Sequence, residues 1–503
     1  MKPSYQQARP DAAANITLAT KAKQVEAWLE TLPHDDALAS AALLANYLAA
    51  HDRAEVAAAF RKQLRDLVSV SIARIMNALA LEFRDMPLPM DARQLDHVGH
   101  ALRLLAAAAE FNKRLILESA DRSPPLFGEN PLPGHLGHFL QLQREILELC
   151  HLSHRQLPEG YWLDTHQAGL KLIEAGLYAA PDPARPGATL GELYLAVLLE
   201  ATADPYHFSA QERIWTQDII ARHGRLAVIE PAQATSQGGV FGIRAGEDKP
   251  PFPLSWQNAV APDCDLVLNT APLVRKLALV ISQMGRERRP QEAIANVHSP
   301  AYQPLLQRLK AIWGGSSQRA TARHRHGRLS QRTAVIGFYP VYHHLSGTAG
   351  QADEKATVQC HLVNESLGGL ALLVARPAFR LKVGSLVCVS RGQGDAWSDL
   401  GLVRWFKSGP NGDLSFGIKY LRGKMRPCLW APSGDGQSYP GLLAEPDDGA
   451  PQRPRNLVMP ALRVDPQARL EVRQGERRLL VQLDGRQESL PDIDIFRCTP
   501  VGH

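Results

Sequence analysis

"RHRHGRLSQRTAVIGF", residues 323–338, runs an arginine-dense stretch directly into an apolar run. From 319 to 332, fourteen residues hold five arginines (319, 323, 325, 328, 332), two histidines and no acid. The residues from Thr333 onward have the β-branched and aromatic texture of a strand. Residues 293–352 contain no Asp or Glu, and with Arg308 and Lys310 they sum to +7. The whole chain is +5, so the remainder sums to −2. The basicity is therefore local, which points to a bound anion rather than to general solubility.

Downstream, residues 333–421 read as six short strands: "TAVIGFYPVY", "TVQCHLVNES", "GLALLVA", "SLVCVS", "LGLVRWF" and "LSFGIKYL". Gly, Pro, Asn and Asp separate them, the pattern of a small antiparallel barrel over 333–430. After "APSGDGQSYP" come "NLVMP", a hairpin "RLEVRQGERRLLVQL" and "DIDIFRC", so 431–503 is expected to be a second, smaller β module. Upstream, Gly314-Gly315 stops a helix and "GGSSQRATA" opens an Arg-rich linker over 314–332. Residues 1–224 read as a helical domain, rich in Ala and Leu and broken at "DMPLPMD", "DRSPPLFGENPLPG" and "APDPARPG". A mixed segment, 225–313, carries the strand-like "RLAVIEP", "GVFGIRA" and "CDLVLNT", then helical periodicity at 272–285 and 300–313. The fold class is multidomain α+β: an N-terminal α-helical domain, a six-stranded antiparallel β-barrel and a C-terminal β module. With 503 residues, several domains are expected.

Two patterns carry chemistry. Arg328 and Arg332 form R-x-x-x-R immediately before the first barrel strand, and Asn364, Ser366 and Gly369 form N-x-S-x-x-G between the second and third. Guanidinium groups bind phosphate bidentately, hydrogen-bond guanine O6 and N7, and stack on base planes. Asn364 and Ser366 alternate along a strand end and can share a face. Gly369 admits a close backbone or ligand.

These residues resemble a PilZ domain, the bacterial cyclic di-GMP receptor module, over about residues 319–425. "GSLVCVS", "LGLVRWF" and "LSFGIKYL" are similar to that family's strands, with Trp405 after Arg404 in a "VRW" setting. The resemblance implies that Arg328 and Arg332 grip the phosphates and guanine faces of cyclic di-GMP. It further implies that Asn364 and Ser366 bond guanine edges or phosphate while Gly369 permits the turn. Two departures from the family pattern are Asn rather than Asp at position 364 and a long stretch, "HHLSGTAGQADEKAT", between the motifs. Arg323 and Arg325 lie just upstream and are expected to add contacts to a second ligand molecule. The helical region resembles no recognised family and is expected to be the output or partner-binding part. The resemblance implies motility, adhesion or biofilm regulation without choosing among them.

Other classes are weighed against this reading. A basic arm beside a barrel also suits a single-stranded nucleic acid, but aromatic content is 6% and few aromatics are placed to stack. A barrel without ligand, acting as an interaction scaffold, is a further alternative. His324, His326, His343, His344, His361 and Cys360 fit no metal-ligand spacing, so no metal and no cofactor are expected. Arg404 reads as a surface residue and Trp405 as core or rim. Glu82, Asp96, His97 and His100 read as solvated helix faces, and no catalytic motif is found. Six scattered cysteines (150, 264, 360, 388, 428, 498) argue against disulfides and for a reducing compartment. The N-terminus shows no apolar leader and no run spans a bilayer, so a cytoplasmic location is expected.

Overall fold

The computed structural model describes residues 19–33, 35–54, 56–83, 90–120, 130–232, 240–254, 263–284, 301–315, 324–348, 356–375, 379–390, 398–409, 412–432, 437–445, 454–462 and 464–501. Within them the chain opens with α1 (Ala22–Glu30), α2 (Ala37–Arg53), α3 (Ala58–Phe83), α4 (Ala92–Ala120), α5 (Leu132–Leu152), α6 (Tyr161–Glu174), α7 (Leu190–Thr202) and α8 (Ala210–His223). α5 and α7 are buried around most of their circumference. Ser209 starts α8 with a reciprocal cap: its hydroxyl accepts from Glu212 N, and the Glu212 carboxylate accepts from Ser209 N. His97, expected on a solvated face, is 7% exposed.

Four short strands follow: β1 (Val228–Pro231), β2 (Val240–Ile243), β3 (Phe252–Pro253) and β4 (Leu266–Asn269). They form a sheet in the order β1-β4-β2-β3. After it come α9 (Ala271–Met284) and α10 (Tyr302–Trp313). Helical spacing buries one stripe of α10: Tyr302, Leu305, Leu306, Leu309 and Trp313. Phe241, Ile243, Leu268, Leu277, Leu309 and Trp313 join the same apolar core as α1 to α8.

The first barrel is built from β5 (His324–Ile336), β6 (Thr357–Ser366), β7 (Gly369–Val374), β8 (Leu386–Ser390), β9 (Ser398–Ser408) and β10 (Leu414–Tyr420), with α11 (Phe338–Ser346) between β5 and β6. The second is built from β11 (Met425–Pro432), β12 (Tyr439–Ala444), β13 (Arg455–Pro460), β14 (Arg469–Gln474), β15 (Arg477–Ser489) and β16 (Ile493–Pro500). Both sheets are closed and antiparallel, ordered β10-β7-β6-β5-β8-β9 and β11-β12-β13-β16-β15-β14. Followed around each ring, the order is the same: first strand beside second, second beside third, third beside sixth, sixth beside fifth, fifth beside fourth, and fourth back beside first.

Three expectations need correction. Strand backbone begins at His324, inside the segment read as linker. The strand expected through "FYPVY" stops at Ile336. Gly337, at φ 102°, turns the chain, and Phe338 starts a helix that tolerates Pro340 in its first turn. The start of the long stretch "HHLSGTAGQADEKAT" is therefore the end of α11, and 349–355 lie outside the described residues. Lastly, 430 falls within β11, so the C-terminal β module begins before 431, and it is a closed barrel of six strands.

The continuous apolar run of β8 follows from burial on both faces. Val387 and Val389 fill the first barrel, while Leu386 and Cys388 join Phe338 and Val341 of α11 in a second core. That second core also takes Met425, Leu442, Val458 and Ile495 from the other barrel, so α11 is a wedge between the two. Arg404, expected at the surface, donates from Nη2 to both carboxylate oxygens of Glu488 at 2.8 Å and ties β9 to β15. Trp405 is partly buried and its ring lies where a side chain on Gly417 would go.

Candidate functional site

The corner between β6 and β7 holds three of the expected site residues. Ser366 pairs with Gly369 across the turn, and its hydroxyl donates to Gly369 O at 3.2 Å. Asn364 pairs with Ala371 on one side and with Arg325 on the other. The β6–β7 register shifts between Leu362 and Asn364, where Val363 is the extra residue. Cys360 and Leu362 face the barrel core, and beyond the shift Asn364 and Ser366 take the outer face. Glu365 lies on the inward side and accepts from the Tyr420 hydroxyl at 3.0 Å.

Gly369 is demanded by its neighbour. A Cβ there would run into the carbonyl oxygen of Ile418 on β10. Leu367, at the turn tip, is 92% exposed. Lys419 pairs with Gly369 and is exposed, placing an additional cation at the corner. Sequence reading missed Lys419 because its proximity depends on the β7–β10 pairing, which no local pattern announces.

Arg332 pairs with Cys360 and so occupies an inward-facing position on β5. Its Nη1 donates to Gln331 O at 3.2 Å in an exposed setting, and among the described residues it has no acidic partner. Between Arg325↔Asn364 and Ser330↔Leu362, β5 advances five positions while β6 advances two. Arg328 lies in that excursion of the backbone; the side chains of Arg325 and Arg328 are outside the described residues, as is all of Arg323. The structure thus brings Asn364, Ser366, Gly369 and the Arg325 backbone to one corner, and it leaves Arg332 on the neighbouring strand with the opposite facing.

The helical half meets this barrel at β9. His154, just after α5, holds a left-handed backbone at φ 51°. Its ring stacks on Phe406 at 3.8 Å, its Nδ1 donates to Phe406 O at 2.9 Å, and its own carbonyl accepts from Ser408 N at 2.8 Å. Burial pushes the His154 imidazole down to about 3, so the ring is neutral and the Nδ1–H tautomer fits this bond. Lys407 lies over the Tyr206 ring at 4.2 Å. Phe406 also belongs to the core of the first barrel, so one side chain is shared by barrel and interface.

Comparison with known proteins points to one class, the cyclic di-GMP receptors. Residues 23–233 match the family model described as the N-terminal domain of the cyclic-di-GMP receptor FimW. Among curated proteins, the chain is similar to the cyclic-di-GMP receptor FimW of Pseudomonas aeruginosa, 23% identical over 94% of this chain and 90% of that protein. No solved structure matches. Both likenesses are to a cyclic di-GMP receptor by name, and the family match falls on the helical half, which carries no motif legible by eye.

Proposed function

We propose that this protein is a non-catalytic cyclic di-GMP receptor of the PilZ kind. Its first barrel holds the ligand, and its helical half is the output part that meets a protein partner. Arg328 and Arg332 close on the phosphates and guanine faces, Asn364 and Ser366 bond the guanine edges, and Gly369 keeps the corner open. Arg325 and Arg323 extend the cationic rim. The observation that carries this is the corner itself: Asn364 and Ser366 on one outer face, beside a strand whose approach is rich in arginine and free of acid. The FimW likeness supports the same ligand from the other end of the chain.

The packed contact at His154 and Phe406 gives a route for signalling, because helical half and barrel meet through β9. Ligand pressing on the Gly369 turn acts on Ile418 of β10, whose register shifts between Gly417 and Ile418 against β9. Phe416 pairs with Phe406, and Phe406 stacks on His154. A change in population at that shift would reach α5 through packed residues alone. Calorimetric titration of the full-length chain tests the receptor reading: saturable heat at micromolar cyclic di-GMP is expected. Absence of heat, or unchanged trypsin cleavage after Arg323, Arg325 and Arg328 on adding the ligand, would sink it.

A further inference from the structure

Where α5, the start of α8 and both barrels meet lies a cavity of about 380 Å3. That is within the range of small-molecule sites. Its wall is mainly apolar, with Val98, Leu149, Phe208 and Phe406 among its lining, and among the described residues it includes Arg213 and Lys382 but no Asp or Glu. Lys382 is exposed and pairs with Asp492 at 3.2 Å. Arg213 is 6% exposed and has no ion pair among the described residues.

The charge on Arg213 is poorly met. Its Nη2 donates to His154 Nε2 at 3.3 Å, and its Nε is buried without a partner. With Nδ1–H bonded to Phe406 O, the imidazole supplies a neutral acceptor and no countercharge. Glu200 attracts Arg213 from a distance, but its Oε1 is bonded to His151 Nδ1 at 3.1 Å. A buried cation without a contacting anion is costly. Ala210 and Gln211 in the first turn of α8 also line the cavity, where the helix dipole favours negative charge.

We propose that this junction cavity is a second ligand site, which takes a small amphipathic carboxylate: the apolar body against Phe208 and Phe406, the head at Arg213. Cyclic di-GMP, with two phosphates and two polar bases, does not suit an apolar wall with one buried cation, so this proposal stands apart from the barrel site. An occupant would touch the helical half and both barrels at once.

Decanoate is the probe, with decanol as its neutral counterpart, each titrated by calorimetry into the full-length chain. Saturable decanoate binding, at least about tenfold tighter than decanol, is expected from one charged hydrogen bond. Ala210→Trp places a large ring into the cavity from an exposed helix start, and should abolish decanoate binding with the melting temperature unchanged. Arg213→Gln should bring acid and alcohol to equal affinity; if that variant fails to fold, Ala210→Trp decides the matter. The site is overturned if wild-type protein shows no saturable decanoate binding at millimolar concentration, binds acid and alcohol alike, or binds decanoate undiminished after Ala210→Trp. A parallel cyclic di-GMP titration separates failure here from failure of the receptor reading.

Discussion

The two barrels share one strand order and differ at the equivalent corner. In the first, the second strand ends in Asn364-Glu365-Ser366, and a two-residue turn leads to Gly369. In the second, the equivalent strand β12 ends at Ala444 and is followed by Glu445. The second barrel also has an R-x-x-x-R at its first strand, Arg422 and Arg426, which sequence reading passed over. There Glu445 is already engaged: its Oε1 accepts from Arg426 Nε at 2.6 Å, and its Oε2 lies 3.9 Å from Lys424 Nζ. Arg426 is thus met by an acid in one ring, while in the other Arg332 has no acidic partner among the described residues and the nearby corner presents two uncharged outward groups, Asn364 and Ser366. Strand order makes the scaffold; the groups at the corner decide whether an anion can enter.

Arginine substitutions give the largest effect and the sharpest break. Arg328→Ala and Arg332→Ala should each weaken cyclic di-GMP binding roughly thirtyfold to a hundredfold, the scale of a lost charge-assisted contact. Arg422→Ala and Arg426→Ala should leave affinity within about twofold. Calorimetric titration of the four variants checks this, and an equal loss from Arg426→Ala would mean that both rings take ligand. Next in size is Gly369→Ala. Its Cβ meets the Ile418 carbonyl, so β7 or β10 must shift, at a cost of about 1–3 kcal/mol by denaturant unfolding. Ligand affinity should fall with it, because the same turn holds Ser366.

Much of the first barrel was legible in the sequence, and the limits have physical causes. β6, β7, β9 and β10 alternate or carry β-branched runs, and their turns hold Gly, Asn or Asp, so their existence could be read. α11 could not: Phe338, Tyr339, Val341 and Tyr342 favour strand by propensity, and packing against the second barrel overrides it. β11 was hidden by its prolines at 427 and 432, which suit an edge more than a barrel wall. The two R-x-x-x-R patterns look alike in sequence because the Arg426–Glu445 pair depends on β11 lying beside β12. The stack of His154 on Phe406 joins residues far apart in the chain and leaves no local trace. Asn364, Ser366 and Gly369 were readable as a motif, but the register shift that turns them away from Arg332's face was not.

A smaller effect would sharpen the comparison further. Glu445→Gln releases Arg426 and Lys424 from their acid. Exposed pairs contribute little, so stability should change by less than about 1 kcal/mol. Affinity of the second barrel for a polyanion such as pyrophosphate should rise, read as added heat in calorimetry that Arg426→Ala removes. No added heat would mean that the missing corner, rather than the competing acid, keeps that ring closed to anions.

The smallest effect is a pH dependence that separates the regions. Asp494 in β16 is 3% exposed, its Oδ1 has no partner among the described residues, and burial raises its carboxyl above the ordinary value despite a Ser489 hydrogen bond and Arg486 nearby. The folded chain therefore holds this proton at a pH where the unfolded chain, with an ordinary Asp near 4, has released it. Over that window the folded state binds more protons, so local stability of the second barrel rises as pH falls. The helical half has the opposite sign. Burial pushes His51, His135, His138 and His166 down to about 4 and His151 and His154 to about 3, so the unfolded chain takes up protons first below about 6.5. Glu148 and Glu200, raised to about 7, and Glu110, Glu145 and Asp164, also raised by burial, oppose this, and the six histidines outnumber them. Hydrogen exchange of the full-length chain at pH 7 and pH 4 should show faster exchange, corrected for intrinsic rate, in α5, which carries His135, His138 and His151, and slower exchange in β13 and β16. Asp494→Asn should erase the β13–β16 change and leave the helices as they were; a β-barrel response that survives the substitution would place its source elsewhere than this buried carboxyl.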